Sequence, residues 1–253
     1  MQSGGVLVFG YVDGSANGGL KADEKAVTAL DVPVTAASTG SATRNEEGNI
    51  ETIEAAPIDD ATGSIDCKVV KIGALFSTES IKFVSGILKD RQQLSSVIDA
   101  EPFFKTGPAP TAELVTALTK DVLPSITILF ATVPEVKKLL DEAGIPADYP
   151  KNMDDVVSLA NTLRKLGPKY VIIKREILEE GDGTTTLHFI LCGGAEPQVV
   201  ASRFENPKRL FGISYSIPPL VAAYLAKGTG VPEAVSAGFK FAEEMLKGGQ
   251  YYI

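Results

Sequence analysis

Short runs rich in β-branched and aromatic residues alternate with longer stretches whose apolar residues recur at helical spacing. This alternation constrains the fold more than any other feature of the chain. Val6–Tyr11, Val32–Ser38, Lys68–Phe76, Ser96–Asp99, Ile126–Phe130, Lys169–Lys174, Thr184–Leu191 and Pro197–Ala201 read as strands. Between them, Leu20–Leu30, Ser80–Asp90, Thr111–Val122, Pro134–Ala143 and Asp154–Leu166 read as helices, and two more close the chain near Ile217–Lys227 and Pro232–Leu246. Pro134 and Glu135 suit a first helical turn, with Thr132 placed as its cap. Strands that alternate with helices build βαβ units, and the parallel sheet they form is covered on both faces.

The polar segment Gly40–Asn49 reads as a mobile loop and Gly144–Lys151 as a connection. Glu179–Gly183 reads as a hairpin turn through Glu180-Gly181-Asp182-Gly183. No repeat, low-complexity tract or shift in composition divides the chain, so residues 1–253 are expected to form a single α/β domain. With 44% apolar residues, 253 residues suffice to bury a substantial core.

Lys and Arg number 24 against 32 Asp and Glu, a formal charge of −8, and no basic block stands out; a nucleic-acid partner is not expected. No run approaches the ~20 apolar residues that span a bilayer, and Met1–Phe9 lacks the basic start of a secretory leader. A cytoplasmic location without membrane partners is expected. Cys67 and Cys192 stand apart in apolar, strand-like stretches and read as reduced structural thiols. His188 is the only histidine; its alternating surroundings make it a strand residue rather than a zinc ligand or triad member.

Open parallel sheets bind ligands beyond the carboxyl ends of their strands. The first such loop, Gly10-Tyr11-Val12-Asp13-Gly14-Ser15-Ala16-Asn17-Gly18-Gly19-Leu20-Lys21-Ala22-Asp23, is Gly/Ser-rich and enters a helix. It resembles the G-[ST]-D-x-S-G-G-A-G-I-x-A-D opening of the hydroxymethylpyrimidine and phosphomethylpyrimidine kinases of thiamine biosynthesis, in the ribokinase-like superfamily. Asp13, Ser15, Gly19, Ala22 and Asp23 fall into register, with one residue inserted between Gly10 and Asp13. Further pieces follow in order: Lys71-Ile72-Gly73-Ala74-Leu75 is similar to K-I-G-M-L, and Val97-Ile98-Asp99 with Lys105-Thr106-Gly107 is similar to V-x-D-P-V-x-x-x-x-S-G with its lysine. Phe130–Glu135 sits where the family has T-P-N-x-P-E, Tyr170–Lys174 where its strand ends in V-K-G-G, and Ala222–Gly228 where its penultimate helix lies.

The resemblance implies a three-layer ribokinase-like fold with a mainly parallel central sheet and helices on both faces, and a homodimer. It implies transfer of the ATP γ-phosphoryl group, with Mg²⁺, to a hydroxymethyl group on a heteroaromatic ring. By position, Asp13, Ser15, Gly19 and Asp23 would bind the ring compound; Lys174, Thr132 and Ser214 would face the nucleotide; Asp99 and Glu135 would organise Mg²⁺; and Lys105, Gly212 and Tyr215 would serve the transfer itself.

The chain departs from the family at its anion hole, where G-T-G-C becomes Gly212-Ile213-Ser214-Tyr215. The family's last residue there is the catalytic base, and a phenol with an ordinary pKa near 10 is a poor base at neutral pH. Pro218 and Pro219 stand in the expected first helical turn and would remove two N–H donors. Arg175 and Glu176 replace the two nucleotide-loop glycines, Thr132 replaces an asparagine, and Ser38-Thr39-Gly40-Ser41 lacks the family's glutamine. After Asp99, P-V-M becomes Ala100-Glu101-Pro102. The expected function is therefore a kinase-like protein impaired in catalysis that binds a small heteroaromatic ligand. The alternatives are an active ATP- and Mg²⁺-dependent kinase for a pyrimidine or pyridoxal-like ring alcohol, and a different reaction using Tyr215 or Ser214.

Overall fold

The first strand, β1 (Val6–Asp13), sends Val6 and Val8 into one buried apolar cluster and Leu7 and Phe9 into another. A strand apolar on both sides must be covered on both sides. The computed structural model describes residues 4–14, 18–45, 50–59, 62, 66–179, 185–204 and 213–247. Its other strands are β2 (Val34–Arg44), β3 (Ile50–Ala55), β4 (Val69–Ile72), β5 (Ser95–Asp99), β6 (Ile128–Thr132), β7 (Tyr170–Glu179), β8 (Thr185–Cys192) and β9 (Gln198–Phe204). They form one sheet in the order β3-β2-β1-β4-β5-β6-β7-β8-β9. β2 through β7 in that row are mutually parallel, while β3, β8 and β9 are antiparallel additions at the two edges.

The helices are α1 (Gly19–Thr28), α2 (Thr78–Asp90), α3 (Ala100–Lys105), α4 (Ala112–Ala117), α5 (Val133–Glu142), α6 (Met153–Arg164), α7 (Ile213–Ala226) and α8 (Val231–Lys247). One cluster joins α1, α7 and α8 to Val6, Val8, Val69, Val97, Ile128 and Ile172; the other joins α2 to α6 to the opposite face. The three-layer α/β fold with a mainly parallel sheet is thus present. No helix among the described residues is long and apolar enough to cross a membrane. Cys67 and Cys192 are buried and free, and burial pushes both thiols up. His188 lies in β8 opposite Arg175 and Ala201.

Several boundaries correct the sequence reading. The segment from Gly40 is not a loop as far as Arg44: it continues β2, pairs with β1 and β3, and is tied to the loop after β4 by Thr39 Oγ1 donating to Ala74 O at 2.8 Å. β3 was not expected, because Ile50-Glu51-Thr52-Ile53 lacks strict alternation; Ile50 and Ile53 instead pack, with Phe76, against the cluster of Tyr11, Ala42 and Ala74. The run expected over Lys68–Phe76 is a strand only to Ile72, and α3, also unexpected, follows β5 directly. The single helix expected over Thr111–Val122 is α4 followed by a π turn, Leu118–Val122. β7 and β8 pair on both sides of the expected hairpin turn, whose residues 180–183 lie outside the described ones, as do 46–49 of the expected loop.

Pro218 and Pro219 also differ from expectation. They lie in the second turn of α7, so what they remove is the backbone bonds to the Ser214 and Tyr215 carbonyls rather than first-turn donors. Packing holds the helix together: Leu220, Val221, Ala222 and Ala223 are fully buried against the sheet.

Candidate active site

The chain steps from β1 to β2 on one side and then returns to β4 on the other, so the sheet's topological switch lies between β1 and β4. Two sequence pieces meet there. Lys71, on β4, donates its Nζ hydrogen to Asp23 Oδ2 of α1 at 2.6 Å, and both side chains are buried. Burial pushes the Asp23 carboxyl up, with Lys71 opposing it. The pair ties the first helix to the sheet beside the β1–β4 switch point.

At the end of β1, Asp13 is buried and accepts from Arg44 at the end of β2: Nη2 to Oδ2 at 2.6 Å, and Nε to Oδ1 and Oδ2 at 3.1 and 3.2 Å. Such a forked contact fixes geometry as well as charge. Gly19 opens α1 with φ +56°, and a Cβ there would lie 2.2 Å from Tyr11 O, so the turn requires glycine. Tyr11 and Phe76 pack with ring centroids 5.9 Å apart and their planes tilted by 58°. Ser15 lies outside the described residues.

A second group gathers at the ends of β5, β6 and β7. Asp99 caps α3 by accepting from Glu101 N at 3.3 Å. Lys174, buried on β7, donates to Asp99 Oδ1 at 2.8 Å and to Glu101 Oε2 at 3.1 Å. Lys105, one helical turn beyond Glu101, donates to its Oε1 at 2.9 Å, and Tyr215 OH donates to the same oxygen at 3.1 Å. The Lys174 ammonium also sits 5.7 Å above the Tyr215 ring.

Charge follows from this packing. Burial alone would lower the Lys174 pKa, but Asp99 and then Glu101 outweigh it and raise it. Burial works against the Glu101 carboxylate too, yet Lys174 and Lys105 hold its pKa below the ordinary range. Tyr215 moves the other way: burial, then the Glu101 charge, hold its phenol protonated far above neutrality.

Glu135 sits in the first turn of α5 and accepts from Thr132 N at 2.8 Å through Oε2. Burial raises its pKa; the Thr132 N–H opposes this, and Asp99 and Glu101 add to it. Glu135 Oε1 and Thr132 Oγ1 are buried with no hydrogen-bond partner among the described residues. Ser214 belongs to α7, whereas Gly212 lies outside the described residues. β7 continues as strand through Arg175, which pairs with His188, where the family pattern has glycines.

Asp99, Lys105, Lys174 and Tyr215 are therefore brought together, with Thr132 and Glu135 beside them; Asp13, Gly19 and Asp23 line the neighbouring strand ends. Two participants carry no assignment from sequence. Glu101 is legible only as the partner of Lys105 at i,i+4, once a short helix after Asp99 is recognised. Arg44 was hidden by reading its segment as a loop.

The sequence model described as phosphomethylpyrimidine kinase matches residues 13–252. A Schizosaccharomyces pombe protein named for hydroxymethylpyrimidine/phosphomethylpyrimidine kinase activity is 26% identical over 250 residues, covering 93% of this chain and 45% of that protein. The chain spans about half the length of that relative, and 46% of the Arabidopsis thaliana thiamine biosynthetic bifunctional enzyme. Phosphomethylpyrimidine kinase of Clostridium difficile superposes with a TM-score of 0.75 at 22% identity, over 95% of this chain and 98% of that one. Staphylococcus aureus pyridoxal kinase in complex with AMP-PCP and pyridoxal gives 0.78 at 21% identity, over 94% and 86%. At these identities the structural likeness is one of fold. The family match extends over nearly all of the residues that build the crevice, and this chain belongs to the phosphomethylpyrimidine kinase family.

Proposed function

We propose that this chain is a family member that keeps a crevice for a small heteroaromatic ring alcohol and does not transfer phosphoryl groups. The observation that carries the reading is Tyr215. At the position of the family base it donates a hydrogen bond to Glu101 and retains its proton at neutral pH, so it cannot accept one from a substrate hydroxyl. Glu101 adds to this by neutralising Lys105 and Lys174, the two cations placed for phosphate. The Tyr11–Phe76 pair, on the strand end that carries Asp13, supports a flat ring as ligand, as does the pyridoxal held by the Staphylococcus aureus neighbour.

A second reading, an active kinase using ATP and Mg²⁺, draws on one observation: the Glu135 Oε1 atom, buried without a partner near Asp99. Mg²⁺ takes one or two carboxylates and completes its shell with waters and phosphates. Among the described residues no group of three His, Cys, Asp or Glu is arranged to hold a metal alone, so this donor set fits Mg²⁺ only together with a nucleotide. Asp99 and Glu135 would hold it, and it would supply neutralisation of phosphate charge.

Thermal and calorimetric titration with ATP·Mg²⁺, hydroxymethylpyrimidine and pyridoxal, each alone and paired, separates the two readings. The first predicts stabilisation by a ring alcohol, about 2.7 kcal/mol at a hundredfold excess over Kd, and none by ATP·Mg²⁺. Ordinary ATP·Mg²⁺ affinity with turnover would overturn it. The proposal also treats the chain as one cytoplasmic domain that pairs into a homodimer; its two buried free thiols support the compartment, and light scattering measures the pairing.

A further inference from the structure

Three donors converge on one carboxylate at the ends of β5 and β7. Lys105 Nζ and Tyr215 OH reach Glu101 Oε1 at 2.9 and 3.1 Å, and Lys174 Nζ reaches Oε2 at 3.1 Å. Two ammoniums and a phenol around a pair of oxygens form a set that binds oxyanions of any origin. We propose that Glu101 is the built-in occupant of an oxyanion cradle formed by Lys105, Lys174 and Tyr215, and that it excludes phosphate from this end of the crevice.

The charge balance supports this. Asp99 and Glu101 oppose Lys105 and Lys174, so the group is neutral as it stands. A phosphate entering beside Glu101 would meet a carboxylate whose partners are already engaged. Removing Glu101 leaves Asp99 on Lys174 and frees Lys105, one positive charge facing the vacated volume. The Lys105 side chain is 54% exposed and Tyr215 is 37% exposed, so these two donors sit on the solvent side of the group. Glu101 itself is buried and its side chain belongs to the short helix α3, which fixes the carboxylate among its donors. The chain's own carboxylate thus supplies the negative charge that a phosphate group would otherwise bring, and the crevice is left to ligands without one.

This inference rests on the reading of the chain as a non-catalytic binder, and its test separates the two. The probe is inorganic phosphate, titrated calorimetrically into the full chain and its variants at constant ionic strength. Wild type is expected to give no saturable binding. Glu101→Ala is expected to bind phosphate at least about tenfold more tightly, equivalent to 1.4 kcal/mol, and Glu101→Ala/Lys105→Ala is expected to lose the gain. Glu101→Ser also removes the carboxylate and vacates its volume, and replaces the alanine variant if that one unfolds, as judged by circular dichroism. Folded Glu101 variants that bind phosphate no better than wild type would overturn the inference. So would a gain that survives loss of Lys105, since the anion would then sit elsewhere. ATP turnover by the wild-type chain would overturn the proposed function instead, and a phosphate gain in Glu101→Ala would stand apart from it.

Discussion

Tyr215 donates its phenolic hydrogen to Glu101 across 3.1 Å, joining the start of α7 to the short helix α3. The contact couples two departures from the family pattern that are far apart in sequence.

Removing that donor has a modest structural effect. Tyr215→Phe is expected to lower stability by about 1 kcal/mol, below the ~1.5–3 kcal/mol of a hydrogen bond to a charged group, because Tyr215 is partly exposed. Urea unfolding measures it. No loss at all would mean the bond to Glu101 is not formed in solution.

Lys174 and Lys105 contact the same carboxylate, yet their substitutions differ in cost. Lys174→Ala leaves Asp99 buried without its cation and Glu101 with Lys105 alone, and is expected to cost about 3–5 kcal/mol. Lys105→Ala removes an exposed i,i+4 partner and is expected to cost less than about 1 kcal/mol. Denaturant midpoints decide it; equal effects would contradict the burial difference.

Two glycines give opposite results. Gly19→Ala forces a side chain into φ +56° and against Tyr11 O, and is expected to destabilise by about 2 kcal/mol or more. Gly86→Ala, inside α2 with open space around its would-be Cβ, is expected to stabilise by about 0.5–1 kcal/mol. Thermal unfolding of both variants in one buffer makes the comparison.

Glu101 sets an acid-side dependence. Its folded pKa lies below the unfolded value of about 4.3, so the unfolded state binds the proton first as pH falls. The stabilisation from this group is complete above the unfolded pKa and is lost as pH drops through the folded one. Glu101→Gln is expected to flatten that part of the stability profile. A profile parallel to wild type would contradict the ion pairing.

The layer order was legible because β4, β5 and β6 are short, apolar on both sides and separated by helices with clear periodicity. β3 and the tail of β2 were not, because they rest on mutual pairing and on Ile50 and Ile53 packing against Tyr11, Ala42 and Ala74, contacts that no local pattern encodes. Asp99, Lys105, Lys174 and Tyr215 could each be nominated by position in the family pattern. Their common partner could not, since Glu101 looks in sequence like a lost apolar residue and gains its meaning only when β7 and α7 bring Lys174 and Tyr215 to it.

The proposed function joins retained binding of a ring alcohol to loss of phosphoryl transfer. The most direct measurement incubates the full chain with γ-labelled ATP, Mg²⁺ and either hydroxymethylpyrimidine or pyridoxal, and follows label into the ring alcohol. The account predicts no labelled product with either alcohol while the alcohol itself binds. Steady production of a phosphate ester, falling sharply in Lys105→Ala, would contradict it.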